Sequence, residues 1–188
     1  MSSRLFIEGI GSEDVLRTNG NSNDIAAIEH ISNLNRRCEV LAWRAIVRRE
    51  LGSQVNIFYD EYGAPQVDLS DTYISISHSK GEVAVLISDT PCAVDIEHVD
   101  RNFRKVSGRY LSEEESTIAE QKDLFAEMWC AKEALYKYYR KGGLDFVEDI
   151  NILEYNHSEN LIVATILGGE PIAVQIKREG NLAIALIK

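Results

Sequence analysis

The sequence predicts an α+β protein built as two similar halves related by a pseudo-twofold axis. Two observations predict it. A helical pattern followed by a run of short strands occurs twice along the chain, and "GEVAVLIS" (81–88) and "GNLAIALIK" (180–188) echo one another. The halves divide at residues 1–97 and 98–188, as one pseudo-dimeric unit. A chain of 188 residues is long enough for that plan around a continuous core.

The elements follow in order. Residues 9–24, "GIGSEDVLRTNGNSND", are rich in Gly, Ser, Asn and Asp and read as a loop. Residues 33–51 are helical: Leu34, Cys38, Leu41 and Ala45 recur at helical steps, and Gly52 follows as a stop. Strands are expected at 54–59, 73–77, 83–88 and 93–97, separated by turns at Tyr62-Gly63-Ala64-Pro65, Ser79-Lys80-Gly81 and Asp89-Thr90-Pro91. A short helix is expected over 101–110. Ser112 and Glu115 have the S-x-x-E spacing of a capping box. The longest helix is expected over 122–140, ending at Gly142-Gly143. Strands at 149–155, 161–167, 172–177 and 182–188 complete the chain.

Composition narrows the function. The net charge of −10 argues against general nucleic-acid binding, which needs a basic field. No stretch is long enough to cross a bilayer, and the apolar run Leu5-Phe6-Ile7 is too short for a signal sequence. Cys38, Cys92 and Cys130 are scattered, with no C-x-x-C spacing. They read as small buried residues of a cytoplasmic protein.

Four constellations could carry chemistry. Asp95 and Glu97, in "CAVDIEHVD", are two apart and share one face of an extended strand. A divalent cation with hard oxygen ligands is the simplest thing they could share, although a strand ending in water explains the pair as well. In "WCAKEALYK", Trp129, Lys132, Glu133, Tyr136 and Lys137 lie on one broad stripe. Glu133 could be a ligand or a base there, and Lys137 a phosphate contact. An exposed Glu133–Lys137 ion pair is the plainer reading. "YISISHSKG" displays Ser77, His78 and Ser79 at a turn that suits an anion or serves only as a turn. The first helix carries Arg36, Arg37, Arg44 and Arg48. Arg37 and Arg44 lie close to one line, on what is either an anion-binding or a solvated basic face.

In this order, from Arg36 to Leu144 and including "EYGAP" and "KGGL", the four constellations resemble the 4′-phosphopantetheinyl transferase family. The likeness is to its two-half, surfactin-synthetase-activating type. The resemblance implies transfer of the 4′-phosphopantetheine arm of coenzyme A to a serine of an acyl or peptidyl carrier protein, releasing 3′,5′-ADP. It implies that Asp95, Glu97 and Glu133 hold Mg²⁺, that Glu133 and Lys137 are catalytic, and that coenzyme A is bound by Arg36, Arg44, Ser77, His78, Lys132 and Lys137. Helical periodicity offers Arg37 as an alternative to Arg36. The resemblance departs at Ala64, where related enzymes often carry a lysine, and Lys80 is a candidate substitute.

Carriers of this kind are acidic, so a protein of net charge −10 needs a local basic patch to meet one. Arg101, Arg104, Lys105 and Arg109 fall at i, i+3, i+4 and i+8, one face of the short helix expected there, and are the docking candidates. A monomer is expected, with no nucleic-acid or membrane partner. The rival readings are another Mg²⁺-dependent phosphotransferase and a catalytically silent coenzyme A-binding accessory protein.

Overall fold

Short apolar runs separated by turn residues become antiparallel strands in the computed structural model, which describes residues 3–188. The protein is α+β, and the chain divides into two units, Met1–Thr90 and Pro91–Lys188. Strand Ala93–His98 pairs with the last strand of the chain and so lies wholly in the second unit. A boundary at 97/98 would cut through that strand.

The first unit contains β1 (Arg4–Gly9), α1 (Glu13–Asn19), α2 (Ser22–Ile28), α3 (Leu34–Leu51), β2 (Ile57–Tyr59), β3 (Pro65–Val67), β4 (Tyr73–Ser79) and β5 (Glu82–Ser88). Its main sheet has the order β1-β5-β4, and β2 and β3 form a separate hairpin. The segment 9–24 is not simply a loop, because α1 and the start of α2 occupy much of it. Asn21 and Asp24 cap α2 reciprocally: Asn21 Oδ1 accepts from the Asp24 amide at 3.0 Å, and Asp24 Oδ2 from the Asn21 amide at 3.2 Å. Residues that favour loops are also the residues that cap helices.

Helix α3 starts at Asn33, whose side chain accepts from the Arg36 amide, and stops at Gly52, whose φ of 110° suits glycine alone. With 18 residues it is the longest helix, ahead of the one expected to be. Its buried residues run almost all the way round, from Val40, Leu41 and Trp43 to Ile46 and Val47, while Leu34 of the expected stripe is exposed.

The second unit contains β6 (Ala93–His98), a 3-10 helix (Arg104–Arg109), α4 (Glu113–Lys122), α5 (Phe125–Tyr139), β7 (Ile150–Asn156), β8 (Leu161–Ile166), β9 (Ile172–Glu179) and β10 (Leu182–Ile187). One five-stranded antiparallel sheet has the order β6-β10-β9-β8-β7. The two echoing segments form β5 and β10, inner strands buried on both faces along almost their whole length, which explains their continuous apolar runs. The helix expected at 122–140 begins later, because Asp123 ends α4 in the left-handed conformation at φ 53°. Ser112 supplies both bonds of the capping box for α4.

Helix α5 packs its small residues Cys130, Ala131 and Ala134 into the same core as Ala183 and Ala185 of β10. Trp129 packs at the edge of that core, with its ring 5.1 Å from Tyr110 and 5.8 Å from Phe146. Among the described residues no helix is long and apolar enough to cross a membrane.

Glu13 joins α1 to α3. Its carboxylate accepts from Arg17 Nε at 2.7 Å and from Arg37 Nε and Nη2 at 3.0 and 2.8 Å. Those bonds, Arg37's first, hold its pKa down from 4.5 to about 2. A carboxyl lowered in the folded state stabilises above its unfolded pKa and loses that contribution as pH falls through the folded one. Glu13→Gln is therefore expected to lower the melting temperature at pH 7, with the deficit shrinking as pH falls from 4.5 towards 2. Thermal unfolding across that range checks it; a constant offset would contradict it.

Candidate functional site

Strand β6 supplies the acid pair. Asp95 pairs across the sheet with Ala185 and Glu97 with Ala183, so each acid stands opposite a small side chain. Asp95 is buried and Glu97 half-buried. Lys137, near the end of α5, donates from Nζ to Asp95 Oδ1 at 2.7 Å and to the Val94 carbonyl at 3.1 Å. Arg101 pairs with Glu97.

Glu133 lies one turn before Lys137. Its pKa is pushed up to about 7, first by burial and then by Asp95, with Glu97 adding to the rise and Lys137 opposing it. The two β6 acids therefore act on the Glu133 carboxyl, which is itself poorly hydrated. Cys130, one turn earlier and fully buried, has its thiol raised well above the usual range by burial and by the same two β6 acids; its Sγ lies 3.6 Å from the Ala183 carbonyl. Cys130 was not singled out as a site residue, although its spacing of four from Ala134 and seven from Lys137 marks the α5 face that meets β6.

Among the described residues no three His, Cys, Asp or Glu side chains are gathered closely enough to grip a metal as they stand. Asp95 and Glu97 are turned to internal cations, Lys137 and Arg101. The donor set nonetheless fits a hard divalent cation: three carboxylates, of which Glu133 has its pKa raised to about 7 by burial and by the charge of the other two.

Lys132 is placed differently from the sequence expectation. It is fully buried, and Nζ donates to Glu115 Oε2 at 2.6 Å, to the Phe146 carbonyl at 2.7 Å and to the Ile150 carbonyl at 2.8 Å. Three donors meet three acceptors, leaving nothing for a ligand. Burial lowers its pKa and Glu115 opposes that shift. Lys132 is accordingly corrected from a coenzyme A contact to an internal strut.

In the first unit Arg36 and His78 come together. Arg36 Nη1 lies 2.7 Å from His78 Nε2, and Glu39 faces both: Arg36 at 3.1 Å, His78 Nδ1 at 3.4 Å. Because a guanidinium only donates, Nε2 is the acceptor and the ring proton sits on Nδ1, towards Glu39. His78 and Arg36 are exposed, whereas Ser77 is buried within β4, which runs on to Ser79 and moves the turn to Lys80-Gly81.

The other arginines of α3 are committed inside the unit. Arg37 is bound to Glu13 and to the carbonyls of Ile31 and Ser32. Arg44 is 3% exposed and donates to Asp24 Oδ1 at 2.6 Å; Arg48 donates to Asp24 Oδ2 at 2.6 Å. Arg44, expected at a phosphate, is thus one of three members of a buried ion cluster with Asp24 and Arg48. Arg101, Arg104, Lys105 and Arg109 are all exposed, but Arg101 precedes a 3-10 helix, so the α-helical face expected of the four does not form.

The family model of the 4′-phosphopantetheinyl transferase superfamily matches residues 91–187. That is just over half of the chain and all but the last residue of the second unit. No curated protein matches the chain.

The two arginine environments predict different costs. Asp24→Asn leaves two buried guanidinium groups short of their anion and is expected to cost about 3–5 kcal/mol. Arg36→Ala, at a half-exposed side chain, is expected to cost less than about 1 kcal/mol. Denaturant unfolding of both variants measures the contrast.

Proposed function

The chain belongs to the 4′-phosphopantetheinyl transferase superfamily, and on that premise we propose that it transfers the 4′-phosphopantetheine arm of coenzyme A to a serine hydroxyl of an acyl or peptidyl carrier protein. The serine oxygen attacks the phosphorus that bears the pantetheine arm. The bond from that phosphorus to the bridging oxygen breaks, and its electron pair leaves with 3′,5′-ADP. The serine proton passes to Glu133. A carboxyl with its pKa near 7 suits that role, since about half of it is ionised in neutral solution and it is basic enough to accept the proton. The observation that carries the reading is the position of this carboxyl, raised to about 7 and one helical turn from a lysine that reaches Asp95.

Lys137, half-buried and held against β6, faces the charge that develops on the 5′-phosphate of the departing 3′,5′-ADP. Asp95, Glu97 and Glu133 are the residues that would hold Mg²⁺, which when bound offsets the negative charge of the pyrophosphate. In the first unit Arg36 and His78 are the proposed contacts to a coenzyme A phosphate, with Ser77 behind them in β4. Arg101, Arg104, Lys105 and Arg109 present the basic surface to an acidic carrier. The three buried, unpaired thiols suit a reducing cytoplasm.

Incubation with coenzyme A, Mg²⁺ and an unmodified carrier protein is expected to add the phosphopantetheine mass to the carrier. EDTA, Glu133→Gln and Lys137→Ala are each expected to reduce the rate at least about a hundredfold. A wild-type chain that leaves every carrier class unmodified would retire the proposal. Arg104→Glu with Lys105→Glu is expected to raise the KM for carrier at least about tenfold and leave that for coenzyme A unchanged. Unaltered kinetics for both substrates would remove the docking assignment alone.

A further inference from the structure

Lys132 joins four segments of the second unit through one ammonium group. Its acceptors are Glu115 in the first turn of α4, Phe146 in the segment after α5, and Ile150 of β7. Glu115 extends the network, because Oε1 also accepts from the Ile152 amide of β7 at 2.7 Å and Oε2 from the Ser112 amide at 2.9 Å. The β7–β8 register shifts between Ile152 and Glu154, beside the carboxylate. Phe146 is held as well, with its ring 5.8 Å from Trp129 and 5.7 Å from Tyr136.

Burying an ammonium and a carboxylate is costly, and an apolar pair of the same size would often be as stable. What an apolar pair would not supply is direction. Three short bonds from one nitrogen fix both the rotation of α5 about its axis and its height along it. Glu133 follows Lys132 by about 100° around the helix and Lys137 by about 140°. With Lys132 drawn towards α4 and β7, Lys137 is turned towards β6, where it makes the second tether, and Glu133, about 40° from Lys137 around the helix, feels the charges of Asp95 and Glu97.

We propose that Lys132, acting through Glu115 and the two carbonyls, is a positioning residue that aims Glu133 and Lys137 at the β6 acids. The inference rests on the proposed function in taking those acids as a cation site. Loosening the strut lets α5 roll, and the carboxylates lose their common focus before the sheet loses its fold.

Lys132→Met keeps the chain length and removes the charge. Calorimetric titration with Mn²⁺ alone into the full chain is expected to show affinity weakened at least about tenfold, the scale on which removal of a ligand's supporting contact acts. The variant still unfolds cooperatively, and kcat falls more than about tenfold while KM for coenzyme A stays within about threefold. A pair that only stabilises would lower the melting temperature and leave Mn²⁺ affinity untouched; affinity within about twofold of wild type in the folded variant overturns the inference. If Lys132→Met does not fold, Glu115→Gln takes its place, with weakening of about three- to tenfold expected and unchanged affinity decisive against. Wild-type protein that binds Mn²⁺ but modifies no carrier sinks the proposed function and leaves the positioning role to the Mn²⁺ comparison. Wild-type protein that binds no Mn²⁺ sinks both.

Discussion

Close packing of α5 on the β6 edge of the five-stranded sheet is the constraint on which the second unit depends. It is set by small side chains. Cys130, Ala131 and Ala134 on the helix and Ala183 and Ala185 on β10 are all fully buried in one core. Short side chains let a helix come down near the backbone of a sheet, and they leave room at the margin for longer ones. The margin is where Lys137 reaches Asp95 and where the charges of Asp95 and Glu97 act on Glu133. A larger residue at Ala134 would lift the helix and separate the groups that now perturb one another.

The most deeply buried charges of the two units described above are matched by partners. In the first unit Asp24 takes two arginines of α3, and the surplus positive charge is eased by Arg44 lying 5.3 Å from the Trp43 ring. In the second, Lys132 takes Glu115 and two carbonyls. These pairs consume residues that look free to bind ligands in the sequence. The groups proposed to meet a ligand are Arg36 with His78 in one unit, and the three carboxylates with Lys137 in the other. The proposed chemistry uses them, with a carboxyl of pKa about 7 as base and an ammonium as electrophilic support.

Elements with strong local patterns were legible. The capping box at Ser112 forms as spaced, Gly52 ends α3, and the continuous apolar runs become β5 and β10. The segment 9–24 was misread because Asn21 and Asp24 have the composition of a loop and the geometry of a cap. Within the candidate site, the spacing of Asp95 and Glu97 puts them on one strand face, as β6 has them, and a resemblance across the chain linked that strand with the helix carrying Glu133. Periodicity could not tell that Arg44 and Lys132 point inward. An arginine on an exposed helix and one matched to a buried aspartate twenty residues earlier look alike in sequence; only the tertiary pairing separates them. The 3-10 geometry of Arg104–Arg109 was likewise hidden, since its charges fit an α-helical spacing equally well.

The account turns on whether three acids from β6 and α5 can serve one cation. Paramagnetic Mn²⁺ makes this directly measurable, by the resonance of free ion remaining in solutions of wild type, Asp95→Asn, Glu97→Gln and Glu133→Gln. The account predicts one ion bound per wild-type chain and marked weakening in every single variant. Binding that survives all three substitutions, or that responds to one acid while ignoring the other two, would contradict it.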